Sequence, residues 1–225
     1  LLQQAFRDID LSNEAMPYMG AGEYRWQGAP LRICRLSFSG ELAFEVSAPA
    51  ALGDALVRYL FDVGRAYDAT PYGTEALGVM RIEKGHPAGN ELNGQTTAGD
   101  LGMGRMMSKK KDFIGRIMAG RPGLIAPDRP TLVGLKPVNT GEVIRAGAHL
   151  LPVGAVASAS NDQGFVTSAA YSPTLGHSIA LALLSHGPDR HGERIIVHDP
   201  VRGADVEAHI CNPVFVDPEG VRVRG

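Results

Sequence analysis

Glu45 stands inside a stretch, Arg35–Ala48 (RLSFSGELAFEVSA), that runs apolar, turns at Ser39-Gly40 and then alternates. Leu42, Phe44 and Val46 fall one way, Ala43, Glu45 and Ser47 the other, which is the period of a half-buried strand. Phe44 is then expected in a core and Glu45 on the opposite face, between two β-formers. A carboxylate held there accepts two parallel hydrogen bonds from a planar donor pair, the short and strong bidentate geometry. The 2-amino and N3–H edge of a pterin is such a pair, and an Arg guanidinium of the protein is another. A solvent-facing Glu on a two-sided sheet satisfies the same spacing. The triplet Lys109-Lys110-Lys111 likewise reads either as a solvated edge or as an attractor for an anionic ligand tail.

Other chemistries find no purchase. The chain has no Cys-x-x-Cys or HExxH pattern. Its seven histidines (His86, His149, His177, His186, His191, His198 and His209) lie outside metal-ligand spacing, so no metal is expected. Ser39-Gly40 lacks the first glycine of a nucleophile elbow. Gly102-Met103-Gly104 has neither a strand before it nor a Lys-Ser/Thr after it, so it is no phosphate loop. No GxGxxG follows a strand, which removes a dinucleotide site.

The elements that would position these residues read as follows. Leu1–Ser12 is a short amphipathic helix and Met16–Gly22 a loop. Strands Leu31–Phe38 and Glu41–Ala48 form a hairpin through Gly40. Pro49 opens a helix Ala50–Ala66 whose Leu52, Leu56, Leu60 and Val63 face a core while Asp54, Arg58 and Arg65 face water. A second helix, Thr74–Lys84, starts at a Thr N-cap and stops at Gly85. Asn90–Met107 is a long polar, Gly-rich loop, and Asp112 caps a short helix Phe113–Ala119. Arg121–Pro130 (RPGLIAPDRP) reads as a linker. Beyond it come short strands at Thr131–Lys136, Ala148–Leu151, Gly154–Ala159, Gly164–Ala170, Ser178–Leu184, Arg194–His198 and Asp205–Ile210, a small barrel or sandwich. Pro173 marks a strand-to-turn corner.

The bulk numbers bound the function. The net charge of −2, from 22 basic and 24 acidic residues, makes no electrostatic case for nucleic acid. No apolar run approaches the roughly 18 residues that span a bilayer. Cys34 and Cys211 in apolar strand-like context fit reduced thiols. The opening Leu-Leu-Gln-Gln carries no signal pattern and reads as a cut from something longer.

Four segments carry a family resemblance. Gly40–Glu45 (GELAFE) resembles the GE-x-G-F-E segment of the folate-binding glycine-cleavage T-protein (aminomethyltransferase) family, and PYGTEALGVMRIEKG its GLGARDxLRLEAG helix. DFIGR and GFVTSAAYSPTLGHSIALALL match two further family patterns. GTEAL with MRIEKG is similar to the branch formed by sarcosine oxidase α-subunits and dimethylglycine dehydrogenases, and SKKKDFIGR resembles the sarcosine oxidase α-subunits in particular. The resemblance implies an α+β fold: a partial folate-binding T-protein-like α/β domain at 1–120, a linker at 121–130 and a C-terminal β-barrel at 131–225. It implies tetrahydrofolate as cofactor, held by Glu45, with Phe38, Leu77, Arg81, Lys109 and Lys110 as further ligand-site candidates. Ala43 replaces a family Gly, Phe38 a frequent Tyr, and Leu77 the Arg that often touches folate. The family's catalytic Asp is expected upstream of Leu1, so no catalytic residue is assigned and the piece alone is expected to be inactive. The function implied is support of oxidative demethylation of sarcosine, with one-carbon transfer to tetrahydrofolate as 5,10-methylene-tetrahydrofolate. Flavin and NAD are expected on other parts or subunits, the partners are other oxidase subunits, and the location is cytoplasmic. The alternatives are a glycine-cleavage-type aminomethyltransferase or demethylase, and a non-catalytic folate-binding or assembly module.

Overall fold

The chain first reverses at Gln27-Gly28, where both residues take positive φ (50° and 81°). That is the two-residue hairpin geometry whose twist matches the strands it joins. It connects β1 (Ala21–Trp26) to β2 (Ala29–Cys34) in antiparallel register from Trp26↔Ala29 to Ala21↔Cys34. A third strand, β3 (Glu45–Ser47), pairs along the other side of β2, with Cys34 opposite Glu45. The pairing of the two expected strands is therefore present, but with ten loop residues between them. Strand β1 falls partly where a loop is expected.

The reason lies at Arg35. Its backbone bonds back to Met19 and Gly20 instead of forward to Phe44. Its buried guanidinium donates to Asn13 Oδ1, the Met16 carbonyl and the Arg224 carbonyl. Ser37 and Ser39 hydroxyls accept the Gly40 and Glu41 N–H groups and hold the loop in place of a ladder.

A computed structural model describes residues 1–225, which form two compact units, Leu1–Gly78 with Glu219–Gly225, and Val79–Pro218. In the first, helix α1 is only Leu2–Ala5. The Gln3 side chain bonds the Ile9 carbonyl and the Leu11 N–H, satisfying by side chain what a longer helix would satisfy by backbone. Helix α2 (Gly53–Gly64) is flanked by 3-10 turns at Ala50–Leu52 and Arg65–Tyr67, close to the expected span. Leu56 is buried with Phe6, Met16, Trp26, Leu31 and Ile33, and Leu52, Leu60 and Val63 pack on that cluster. Each such side chain contributes about 1.5–3 kcal/mol on burial. Asp54 and Arg58 pair on the exposed face at 2.9 Å. The division between units falls within α3 (Thr74–Glu83).

The second unit holds helix α4 (Arg116–Ala119) and a closed six-stranded barrel. Its strands are β4 (Pro130–Pro137), β5 (His149–Leu151), β6 (Gly164–Ser172), β7 (His177–Ser185), β8 (Arg194–Asp199) and β9 (Ala204–Cys211), all antiparallel, in the order β4-β7-β6-β5-β8-β9. Val133, Leu135, Leu150, Val166, Ala182, Ile195 and Ile210 fill the interior. Strand β7 is buried on both faces, since Ile179, Leu181 and Leu183 pack outward on Ile82 and Leu101. Hence its unbroken apolar run. The expected strand Gly154–Ala159 is instead a series of turns with Val153 and Val156 exposed, because nothing buries its alternate residues. Helix α5 (Val221–Arg224) belongs to the first unit. No helix is long and apolar enough to cross a membrane.

Candidate functional site

Strand β3 puts the Glu45 side chain on an exposed sheet edge. No ion pair uses it. Arg35, the guanidinium nearest in sequence, is committed to Asn13, Met16 and Arg224, and lies 5.9 Å from the Phe44 ring centroid. Two grooves flank this strand. One, of about 450 Å³, passes Leu42, Ala43 and Phe44; the other, of about 560 Å³, passes Ser47, Ala48 and Leu31. Glu45 lies in sequence between the two and lines neither. An unpaired, solvated carboxylate is chemically free to accept a planar donor pair.

Phe38 lies in the loop before β3, half-exposed and with a contact of its own. Leu77 is half-buried on α3. Both are in the same unit as Glu45. Lys109 and Lys110 are exposed in the other unit, where the Lys110 backbone N–H bonds Ser108 Oγ at 3.2 Å.

Arg81, expected from the resemblance at the ligand, is instead built into the protein. Its guanidinium donates to Glu91 Oε2 at 3.0 Å, to the His86 carbonyl at 3.2 Å and to Ser168 Oγ at 2.7 Å. Its side chain is 12% exposed and that of Glu91 0%. Glu91 also accepts the Thr167 and Ser168 hydroxyls and the Ala88 N–H. A bulge between Val166 and Ser168 in β6 lets two consecutive residues reach one carboxylate. Burial pushes the Glu91 carboxyl up. The Ser168 and Thr167 hydroxyls, the Ala88 N–H and the Arg81 charge outweigh it, leaving the carboxyl below its usual range.

Three further clamps lie in the same unit. Glu83 accepts Ser172 Oγ at 2.5 Å and Thr174 Oγ1 at 3.2 Å, while its carbonyl accepts two N–H groups, from Phe215 and Val216. Lys84 reaches Asp217 at 3.0 Å. Asp100 takes the Arg129 guanidinium and the Thr97 N–H; burial raises its carboxyl, and Arg129 with Thr97 brings it below normal. The Asn90–Met107 segment is thus a loop, as its composition implies, but one pinned at Glu91 and Asp100. Sequence reading finds Arg81 but not its partners. A Glu next to Asn90 in a polar loop gives no sign that two barrel hydroxyls meet it. Nowhere do three or more His, Cys, Asp or Glu gather closely enough to hold a metal ion.

Residues 1–111 match the family model described as the GCVT N-terminal domain, and 131–217 that of the glycine cleavage T-protein C-terminal barrel domain. The sarcosine oxidase subunit alpha of Rhizobium meliloti (strain 1021) is 46% identical over 226 residues, covering 99% of this chain and 23% of that protein. An aminomethyltransferase of Mycobacterium leprae (strain Br4923) is 33% identical over 229 residues, covering 96% of this chain and 59% of its own length. Among solved structures, the glycine cleavage system aminomethyltransferase T from Bartonella henselae superposes with a TM-score of 0.77 at 25% identity, over 96% of this chain and 57% of that one. The chain thus spans 23% of the length of its sarcosine oxidase relative. With both domains matched, in the same order, the chain belongs to the glycine cleavage T-protein family.

Proposed function

We propose that this chain is the tetrahydrofolate-holding region of a sarcosine oxidase α-subunit, supporting oxidative demethylation of sarcosine in the cytoplasm beside other oxidase subunits. One observation carries the reading: the Glu45 carboxylate stands on a strand edge with no protein cation on it. Buried carboxylates of the same chain are all engaged, as Glu83, Glu91 and Asp100 show. The similarity to proteins named sarcosine oxidase subunit alpha supports the choice of reaction.

In this reading Glu45 accepts the pterin 2-amino and N3–H groups, and Phe38 and Leu77 of the same unit are further ligand-site candidates. Lys109 and Lys110 are exposed cations of the other unit, and they are candidates for an anionic ligand tail by the family resemblance alone. Arg81 positions α3 through Glu91 and Ser168 and does not touch the ligand. Tetrahydrofolate, when bound, supplies the nitrogens that take up the one-carbon unit. The protein's own part is to hold and orient, which replaces a bimolecular encounter with a local one, and to keep water from a reactive imine.

Calorimetric titration of tetrahydrofolate into the full-length enzyme tests this. Glu45→Gln replaces two acceptor oxygens by one acceptor and one donor, and is expected to weaken binding by about 10- to 100-fold, the cost of losing charge-assisted bonds of about 1.5–3 kcal/mol. Unchanged affinity refutes the assignment.

A second reading is favoured by Leu77, which is apolar and half-buried where the family pattern has a folate-touching Arg. In that reading the region is an assembly module without folate, and wild type and variant both give no heat on titration.

A further inference from the structure

Across the wall of the barrel, His149 of β5 stands directly opposite His198 of β8, and His198 directly opposite Asp205 of β9. Opposed residues share a face, with Cβ atoms about 4.5–5.5 Å apart. That face is the outer one, because the adjoining Leu150 and Val197 fill the interior. Both imidazoles are fixed in the same way. His149 Nδ1 meets Asp162 Oδ2 at 2.8 Å, and His198 Nδ1 meets Asp205 Oδ1 at 2.6 Å. Asp162 is itself held just before β6, where its Oδ1 accepts the Gly164 N–H at 3.2 Å. One carboxylate thus comes from the β6 side and the other from β9, with the two rings as neighbours between them. A depression of about 320 Å³, walled by Leu151, Ala157, Ser158 and Asp162, opens onto both rings.

A neutral imidazole whose Nδ1–H donates to a carboxylate carries its lone pair on Nε2. No protein group uses the Nε2 of either ring. The same carboxylate–imidazole couple orients histidines that bind metal ions and makes their free nitrogen a better donor. Two couples side by side are more than sheet stability asks for, since exposed pairs contribute little. We propose that His149 and His198 together bind one divalent transition-metal ion of the zinc, nickel or copper class through their Nε2 atoms, with water in the remaining positions. Imidazole donors select these ions over magnesium and calcium, which take oxygen ligands. Two protein ligands are fewer than the three or four of catalytic and structural zinc centres, so the site is open and exchanges its ion with solution. Linear spacing of the histidines does not show the pair, because barrel closure assembles it from strands far apart in sequence.

Calorimetric titration of ZnCl2 into the full-length enzyme tests this, with wild type and variants compared so that other zinc-binding groups cancel. His149→Gln and His198→Gln each remove a ligand and should weaken the site by about tenfold or more. Asp205→Asn keeps both ligands but releases one ring, and should weaken it by about tenfold. His191→Gln, at an exposed histidine outside the depression, should change nothing, and excess MgCl2 should not compete. Thermal melting without metal checks that each variant folds. Anomalous scattering from zinc-soaked wild-type crystals should place the ion about 2.0–2.1 Å from both Nε2 atoms. Zinc affinity that neither His149→Gln nor His198→Gln changes, competition by magnesium, or zinc found away from both rings overturns the proposal.

Discussion

Glu45 and Glu91 are the same side chain in opposite surroundings. Glu45 is solvated and unpaired, so its acceptor capacity is available to a ligand at little desolvation cost. Glu91 is closed off, with hydroxyls, an N–H and a guanidinium using its oxygens, so it can do nothing but hold. Its depressed pKa makes it a stability element with a defined pH window. A carboxyl whose folded pKa lies below the unfolded value of 4.5 contributes stability above that pH and loses it as the pH falls through the range beneath. Urea unfolding of wild type should therefore show a midpoint that drops below about pH 4.5, and Glu91→Gln should show a shallower drop. At pH 7 the same substitution leaves Arg81 without its charge partner, and should cost about 3 kcal/mol. A midpoint for the variant that parallels wild type through the acid range assigns the acid sensitivity to other groups. The role of Glu91 is not evident from residue type. The alternation around Phe44 separates core from surface, but nothing near Asn90 announces that a carboxylate inside a polar, Gly-rich stretch is buried against a barrel bulge.

Among elements, those decided by local pattern were legible and those decided by distant contacts were not. The apolar spacing of α2 and the continuous apolar run of β7 are written in neighbouring residues, and both form where expected. The end of β2 is decided by Arg35, whose Nη2 donates to a carbonyl of Arg224, 189 residues away. No window of sequence holds that information. The same holds for the stop of α3. Gly85 is a plausible helix terminator by composition, and the structure adds a steric reason. It has φ 70°, and a Cβ there would come within 2.5 Å of the Pro213 carbonyl oxygen. Gly89 has φ 53° with nothing within 4 Å of the same construction. Gly89→Ala should thus cost only the left-handed backbone strain, about 1–2 kcal/mol. Gly85→Ala should cost that and the displacement of Pro213, about 3 kcal/mol or more. Chemical denaturation of the two variants side by side checks the difference, and equal losses would mean that the chain after β9 moves aside freely.

At the scale of the whole molecule, the α+β architecture with a closed barrel follows the family pattern. The four motifs that carried the resemblance lie on different parts of it: GELAFE on the loop into β3, the MRIEKG helix at α3, DFIGR before α4, and the long Ser-Pro-Thr stretch on the β6–β7 hairpin. Two of them meet each other in side-chain hydrogen bonds, through Arg81 with Ser168 and Glu83 with Ser172. In GELAFE, Glu41 pairs with Arg222 and Phe44 packs on the core, while Glu45 alone has no protein partner, which is why we propose the ligand role for it. The most direct measurement is a crystal structure of the full-length enzyme with a reduced folate. The account predicts both Glu45 carboxylate oxygens within about 2.7–2.9 Å of the pterin 2-amino and N3 nitrogens. A folate bound elsewhere, with Glu45 facing water or paired to an arginine of the protein, contradicts it.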